Sequence, residues 1–296
     1  MSVLISAVLP IAIVVAIGFC LGRRFEIDLQ TLARVNIYAL LPALVLTSLI
    51  ETTLLLSSAI ALVAAFFLNT ASLYAITVVL SHALNYSLDE QKSLIATTLF
   101  ANVGNMGLPF VLFALGEAGL ERAVIYLVGS SLTIATVFPI LLKGAGVRAG
   151  IHYTVQLPVF WAVSAGLGLR IWSGELPEAI ARGMALLSGG VIPLALLALG
   201  IQLSRTTFAF GRFEILAAGL RLLISPLLAY SIGRVLRLEG LELQVLILQA
   251  AMPVAVNSLI WVTELGGDTV RVARTIVLST LLSFLTLPGV LWLITR

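Results

Sequence analysis

The sequence predicts an all-α integral membrane protein with ten transmembrane helices. Of its 296 residues, 60% are hydrophobic and only 10% are charged, whereas a soluble domain carries about 25% charged residues. Apolar runs long enough to cross a bilayer follow one another along the chain, separated by charges, proline or glycine. Two of these runs, the fourth and the ninth, contain residues that interrupt a helix.

Each predicted helix is a run of about 20 residues, the length that spans the hydrocarbon core. The ten runs are 3–21, 29–50, 57–81, 92–116, 121–142, 153–172, 179–202, 212–236, 242–265 and 271–294. The first run has no basic residue before it and Arg23-Arg24 after it, the reverse of a secretory signal, so we predict a retained first helix. The loops are short, and the segment most like a linker is 143–150.

The basic residues favour one orientation of the ten helices. With the N-terminus outside, ten of the 17 lysines and arginines fall on the cytoplasmic side and six on the outer side, with Arg221 set aside as intramembrane. Cytoplasmic loops carry the excess of basic residues. We therefore predict that both termini lie on the extracytoplasmic side of the cell (inner or plasma) membrane.

The fourth predicted helix is interrupted by the stretch from Asn102 to Pro109. Gly104 and Gly107 add backbone freedom, and Pro109 removes a backbone donor. Backbone groups freed at bilayer depth are tolerated only where protein or a water-filled cavity satisfies them. The stretch therefore predicts a broken helix at the substrate site of a transporter, with Pro109 at the first position of the second half-helix.

A repeat is visible at a spacing near 150 residues. Four pairs of landmarks keep offsets between 148 and 151: Leu9-Pro10 with Leu157-Pro158, Leu41-Pro42 with Ile192-Pro193, Leu115-Gly116 with Leu265-Gly266, and Pro139 with Pro288. Five helices in each copy would invert the second copy relative to the first, which is a transporter signature. We predict two inverted five-helix repeats, residues 1–148 and 149–296.

The repeat places a second break in helix nine. Residues 102–109 align with 252–259, where Pro253 and Val254 are followed by the polar pair Asn257-Ser258. Interrupted helices at corresponding positions of two halves are the best sequence indication of a binding site. We therefore expect helices four and nine to be broken and to cross.

The two breaks have the chemistry of an anion site. A break creates a half-helix N-terminus with unpaired N–H groups and partial positive charge, and the asparagine and serine side chains add neutral donors. The candidate substrate-binding residues are Asn102, Gly104, Asn105, Gly107, Pro109, Pro253, Val254, Asn257 and Ser258. The alternative is that the glycines permit tight helix crossing and the asparagines join helices by hydrogen bonds.

Arg221 is the charge placed deepest in an apolar run, about nine residues into helix eight. It could add positive potential near an anion site, pair with a carboxylate, or extend its side chain to the cytoplasmic interface. Gln249 is a second candidate for charge coupling, because together with the polar runs 69–72 and 130–133 it could line a path or bind a cation. The alternative is that these amides and hydroxyls pack helices together.

Other functional classes find little support. The single Cys20 and the widely separated His82 and His152 give no metal-ligand spacing, so we predict no metal site and no cofactor. Without an HExxH motif or a histidine near a membrane-embedded serine, we predict that the chain is not an enzyme. No ring of charge indicates a channel, and a net charge of +3 spread over short loops indicates no nucleic-acid partner. The four tryptophans are expected at the membrane interface or facing lipid.

The interrupted fourth helix resembles that of the auxin efflux carrier family, which includes plant PIN proteins and bacterial malate and malonate permeases. The plant motif has the form Asn-x-x-x-Met-Gly-x-Pro. Here it is matched by Asn102, Met106, Gly107 and Pro109.

Helices eight and nine extend the resemblance over the rest of the chain. Pro253 matches the family's proline in helix nine, and Arg221 with Pro226 matches its Arg-x-x-x-x-Pro in helix eight. The second helix-nine proline of the plant proteins is absent, and Ser258 stands near its place. The long plant loop is reduced here to about 143–150.

The resemblance implies a bile-acid-transporter-like fold made of two parts. Helices one, two, six and seven would form a scaffold, which commonly dimerises. Helices three to five and eight to ten would form a transport domain that carries the two crossed breaks. Family members are thought to move organic anions by an elevator-like displacement of that domain.

These inferences together predict a secondary active transporter or uniporter of small organic anions, such as carboxylates or auxin-like acids. Its partners would be the anion, the lipid bilayer and a second copy of the chain. The alternative is a sodium-coupled symporter of the bile-acid transporter type. Against that alternative stands the lack of a mid-membrane acidic residue in helices four and nine.

Overall fold

The computed structural model describes residues 2–143, 147–172, 174, 176–205 and 210–295. Within these ranges the chain is all-helical, and its one extended pairing is an isolated antiparallel bridge between Ala101 and Val254. Residues 144–146, inside the segment predicted as a linker, lie outside the described residues.

Twelve helices follow one another in the described ranges. They are α1 (Ser2–Arg24), α2 (Leu29–Glu51), α3 (Leu56–Ala83), α4 (Leu88–Leu99), α5 (Leu108–Lys143), α6 (Val147–Gln156), α7 (Pro158–Ile171), α8 (Glu178–Ser204), α9 (Arg212–Val235), α10 (Gly240–Ala250), α11 (Ser258–Leu265) and α12 (Thr269–Ile294). By length and composition α2, α3, α8, α9 and α12 could each cross a membrane, and the bent pair of α6 and α7 makes a sixth candidate. The all-α membrane class is thus confirmed, while the arrangement of ten transmembrane helices stays a prediction.

The fourth and ninth apolar runs are each divided, as the sequence predicts. Helices α4 and α10 have 12 and 11 residues, too few to span a bilayer alone. α4 begins with a capping box in which Ser87 and Glu90 bond to each other's backbone N–H. α10 ends shortly before Pro253, and the residue that precedes a proline is biased towards extended backbone.

Three helical segments widen into a π turn just before a proline. The three π turns are Asn36–Leu40, Val103–Gly107 and Leu220–Ile224. The second residue after each turn is a proline, namely Pro42, Pro109 and Pro226. A proline inside a helix lacks the N–H donor, and its ring crowds the carbonyl four residues earlier. Hydrogen bonds that reach back five residues relieve this crowding over one turn.

Two glycines end the half-helices that follow the breaks. α5 leaves helical geometry at Gly116, whose φ of 72° lies in the left-handed region that favours glycine. Gly266, the residue after α11, has a φ of 94°. The part of α5 before Gly116 therefore completes predicted helix four, and the part after it is predicted helix five.

Helix α1 packs along α8 at close range. A Cβ at Gly18 would lie 2.3 Å from the carbonyl oxygen of Leu197, and a Cβ at Gly200 would lie 2.1 Å from that of Val15. A larger residue at either glycine would force the two backbones apart. Elsewhere α2 packs against α7 and α8, α3 against α4, α5 and α9, and α10 against α5 and α9.

Candidate functional site

The two interrupted segments cross as a short antiparallel pair. The N–H of Asn102 donates to the carbonyl of Pro253 at 2.8 Å, and the N–H of Ala255 donates to the carbonyl of Phe100 at 2.9 Å. These bonds satisfy backbone groups that no helix satisfies, as bilayer depth requires. The crossing is therefore held by its own backbone.

Four helix ends meet at this crossing. α4 and α10 bring their C-termini, while α11 and the π turn Val103–Gly107 bring N-termini. A helix N-terminus carries roughly half a positive charge, and a C-terminus roughly half a negative charge. The crossing thus has an N-terminal face suited to an anion and a C-terminal face suited to a cation.

A cavity of about 200 Å³ adjoins the N-terminal face. Its walls come from the crossing and from α2, α5, α7, α8 and α11. A second cavity of about 60 Å³ shares Asn36, Asn105 and Asn257 with the first and reaches Leu29, the first residue of α2. The shared residues place the second cavity next to the first, on the side towards that end of α2.

Both cavities have largely apolar walls that carry a few uncharged polar side chains. The side-chain amide of Asn36, in the π turn of α2, donates to the side-chain oxygen of Asn105 at 3.3 Å. Asn36 Oδ1 and Asn102 Nδ2 are buried and have no hydrogen-bond partner in the part of the chain that the structure describes. Ser130 and Ser131 of α5 add hydroxyls to the wall. Among the described residues, no aspartate, glutamate, lysine or arginine lines either cavity.

The structure brings four of the nine candidate substrate-binding residues to the larger cavity. They are Asn102, Gly104, Asn105 and Asn257. The other five lie next to the crossing without lining the larger cavity, and their part in substrate binding stays a prediction.

Three of these five belong to the helix-nine break. Pro253 supplies a carbonyl to the crossing, and the N–H of Val254 donates to Ser279 Oγ of α12 at 3.1 Å. The hydroxyl of Ser258 donates to the carbonyl of Ala255 at 2.6 Å and is fully buried. Ser258 therefore closes the first turn of α11, and its role as a substrate ligand stays a prediction.

The remaining two belong to the helix-four break. Pro109 is the second residue of α5 and follows the π turn that begins at Val103, so the break lies at 100–102. The expectation that Pro109 opens the half-helix was wrong, because the π turn accommodates the proline inside continuous helical backbone. Gly107 packs directly against Gln249, whose side chain is fully buried and has no hydrogen-bond partner among the described residues.

Arg221 lies at the C-terminal face of the crossing and lines neither of the two cavities. Its Nη1 donates to the carbonyl of Thr98 at 2.8 Å, and its Nε donates to the carbonyl of Met252 at 3.1 Å. Its Nη2 donates to the carbonyl of Ala250 and to Ser225 Oγ. The residue is 2% exposed and pairs with no described carboxylate, so extension to the interface and ion pairing are both wrong.

An ion-pair network lies beyond the last residue of α2, at the opposite end of that helix from the small cavity. Glu121 of α5 accepts from the hydroxyl of Thr52 and, at 3.0 Å, from the N–H of Leu54. The neighbouring Arg122 pairs with Glu242 of α10 at 2.9 Å. The network ties the connection between α2 and α3 to the helices that carry the crossing.

A second polar network joins the starts of α4 and α12. Arg271 pairs with Glu90 at 2.8 Å and with Asp268 at 3.3 Å. The Oγ of Ser93 accepts from the N–H of Asp268 at 2.7 Å. The N–H of Ser87, which donates to Glu90 at 2.9 Å, lowers the pKa of that carboxyl from its ordinary value. These bonds anchor the half-helix that ends at the crossing.

Sequence reasoning missed two polar residues of the cavities, Asn36 and Gln202, and misplaced Trp261. Asn36 lies in an apolar run six residues before Pro42, and an asparagine shortly before a proline, as in helix four, is the signal that could have found it. Trp261 lines the cavity, whereas we had expected it at the interface or facing lipid. Trp161 and Trp172 are exposed, as expected of lipid-facing side chains.

Known proteins match the chain over most of its length. The family model described as "Membrane transport protein" matches residues 3–157 and 151–291. An "Uncharacterized transporter" of Methanothermobacter thermautotrophicus is 33% identical over 97% of this chain and 96% of its own. Another, of Methanocaldococcus jannaschii, is 28% identical over 70% of each chain. A "Putative malonate transporter" of Rhizobium meliloti is 28% identical over 66% of this chain and 64% of its own. The chain belongs to the membrane transport protein family, the family of the auxin efflux carriers that the helix-four motif predicts.

Proposed function

We propose that this membrane transporter is a secondary carrier or uniporter of small organic anions, with carboxylates as the substrate class. The observation that carries the proposal is a cavity at two half-helix N-termini, where uncharged polar side chains project from largely apolar walls. Unpaired N–H groups at such ends attract carboxylates without a buried cation. A site of neutral donors also holds the anion loosely enough for a carrier to release it.

Short dicarboxylates are the first substrates to test. A volume of about 200 Å³ suits an acid of few carbon atoms, and two N-termini offer places for two carboxylate groups. The name of the Rhizobium meliloti relative mentions malonate, which is such an acid. We extend that substrate to this chain as a proposal, with monocarboxylates and auxin-like acids as comparison compounds.

The two halves of the chain, residues 1–148 and 149–296, are inverted repeats in this proposal. Backbone geometry at corresponding positions of the two halves supports the inverted repeats. Gly116 and Gly266, 150 residues apart, both have positive φ, as do Asn85 and Arg237, 152 residues apart. Each member of a pair ends the equivalent helix of its half.

The proposed mechanism is an elevator-type movement of one group of helices against the other. Helices α1, α2 and α6 to α8 would form the scaffold and the homodimer contact, and α3 to α5 with α9 to α12 the moving domain. The cavity supports this division, because Asn36 lines it from the first group and Asn105 and Asn257 from the second. With both termini outside the cell membrane, the cavity would open to the cytoplasm and the Glu121 network would close the outer end.

A carboxylate panel tests the substrate class. Thermal shift of the purified protein should reveal stabilisation by at least one short carboxylate, and proteoliposomes should transport the same acid. Flux measured with and without a proton or sodium gradient then identifies the coupling. If no organic anion stabilises the protein or crosses the membrane, the proposed function is wrong.

Two asparagine variants test the site. Asn102→Ala and Asn105→Ala should each weaken anion binding by about 1 kcal/mol, roughly fivefold in Kd, because each removes a donor at the cavity. Thr263→Ala, an exposed position on α11, is the control that should bind like wild type. Wild-type transport by both asparagine variants would show that the anion lies elsewhere.

A further inference from the structure

Three backbone carbonyls converge at the C-terminal face of the crossing. They belong to Thr98 near the end of α4 and to Ala250 and Met252 at the end of α10. Two helix C-termini contribute roughly half a negative charge each, or about one charge in total. In membrane carriers, unwound carbonyls and half-helix C-termini of this kind coordinate a transported cation such as Na⁺.

In this chain the guanidinium of Arg221 already occupies those carbonyls. Its Nη2 also donates to Ser225 Oγ at 2.8 Å, and that oxygen accepts from the amide of Asn69 at 3.3 Å. Four helices fix this geometry, since Asn69 lies in α3, Arg221 lies in α9 and the carbonyls belong to the ends of α4 and α10. One positive charge thus faces about one negative charge of helix ends, which explains a buried arginine without a carboxylate partner.

We propose that Arg221 is the resident cation of the crossing and takes the place at which a coupling cation would bind. Two consequences follow from this assignment. Arg221 is a positioning residue that holds α4 and α10 together, and through the backbone bonds of the crossing it sets the two N-termini at the cavity. Anion transport then requires no Na⁺, a consequence that rests on the proposed function.

Chemical rescue tests the assignment without any substrate. Arg221→Ala should melt at a lower temperature than wild type, because three buried carbonyls lose their donors. Guanidinium chloride at low concentration should raise the melting temperature of this variant, while it leaves wild type and the exposed-site control Arg182→Ala unchanged or slightly lowered. Sodium chloride at the same concentration provides the ionic-strength control. A melting temperature of Arg221→Ala equal to that of wild type, or no selective response to guanidinium, would overturn the proposal.

Arg221→Lys covers the case in which the alanine variant does not fold. Lysine keeps the charge but not the planar set of donors, so it should fold with intermediate stability. For a positioning residue, Arg221→Lys should lower kcat severalfold and leave KM within about twofold of wild type. A large rise in KM with unchanged kcat would make Arg221 a substrate ligand and would overturn the proposal.

Ion replacement in wild-type proteoliposomes tests the consequence for coupling. Replacing Na⁺ by N-methylglucamine on both sides should leave the flux of the carboxylate unchanged. Flux that falls with the removal of Na⁺ would overturn the proposal. Failure of every organic anion to cross would instead refute the proposed function, and the guanidinium response would still decide the role of Arg221.

Discussion

The side-chain amide of Asn36 donates a hydrogen bond of 3.3 Å to the side-chain oxygen of Asn105. The bond joins α2 to the π turn that precedes α5, and both residues line both cavities. Neither side chain is charged, and Asn36 retains a buried oxygen without a partner in the described ranges. The pair therefore offers amide groups to a ligand from two sides of the same space.

Asn36→Asp should abolish anion transport while it leaves the fold intact. The substitution is nearly isosteric, but it places a negative charge in the cavity. Two like charges about 4 Å apart repel by about 4 kcal/mol at an effective dielectric constant of 20, which corresponds to a rise in KM of more than about a hundredfold. Flux at neutral pH checks the prediction, with Asn36→Ser as the uncharged control. Wild-type flux of a dianion through the aspartate variant would place the substrate outside this cavity.

Gly107 and Gln249 should show strong coupling in a double-mutant cycle. A Cβ at Gly107 would lie 2.2 Å from Oε1 and 3.0 Å from Cδ of the fully buried Gln249. Gly107→Ala should therefore cost about 1–3 kcal/mol of stability, and adding Gln249→Ala should recover part of that loss because the new methyl then has room. Thermal unfolding in detergent measures all four proteins. Gly183→Ala, where a Cβ meets nothing within 4 Å, is the control, and simple additivity would refute the contact.

The capping box of α4 predicts a loss of stability at acid pH. The N–H of Ser87 depresses the pKa of Glu90, so the carboxylate stabilises the fold fully above the ordinary value of 4.5 and loses that effect as the pH falls through the lower folded value. Between neutral pH and pH values below 4.5, the melting temperature of wild type should fall more than that of Glu90→Gln. Ser87→Ala should cost about 1 kcal/mol at neutral pH. Parallel pH profiles of wild type and Glu90→Gln would contradict this account.

Cross-linking Thr52 to Glu121 should stop transport if the two helix groups move relative to each other. Thr52 lies between α2 and α3, Glu121 lies in α5, and their side chains are in contact. The exposed thiol of Cys20 is first replaced by serine. Mercuric ion, which bridges two thiols, should then block flux in Thr52→Cys/Glu121→Cys, and dithiothreitol should restore it. Each single-cysteine variant is a control, and an unaffected flux in the bridged protein would rule out elevator movement at this contact.

The existence of both breaks could be predicted from the sequence because proline and glycine act directly on the backbone. The position of the first break could not. The π turn absorbs Pro109, and the chain is extended at Phe100 and Ala101, whose residue types carry no such signal. Their conformation depends on pairing with the segment around Val254, a contact between distant parts of the chain.

The roles of Arg221 and Asn36 could not be predicted from the sequence, for a related reason. Arg221 binds backbone carbonyls, which every residue has, so no residue type in the sequence marks its partners. Asn36 acquires its place only when α2 lies against the crossing. Sequence patterns therefore predicted the all-α membrane class and the polar groups of the breaks, and tertiary packing decided which groups share the cavity.

The three π turns change the direction in which the side chains of their helices point. One additional residue in a turn rotates everything that follows on a helix by about 100°. Asn36, Asn105 and Arg221 each lie within such a turn, four to six residues before its proline. Each proline, with its π turn, thereby fixes how far the residues that follow are rotated about the helix axis. A polar side chain can then face inward while the apolar side chains on the next turn keep contact with their own neighbours. Pro42, Pro109 and Pro226 therefore help to orient the polar side chains of the site, although none of them lines the larger cavity.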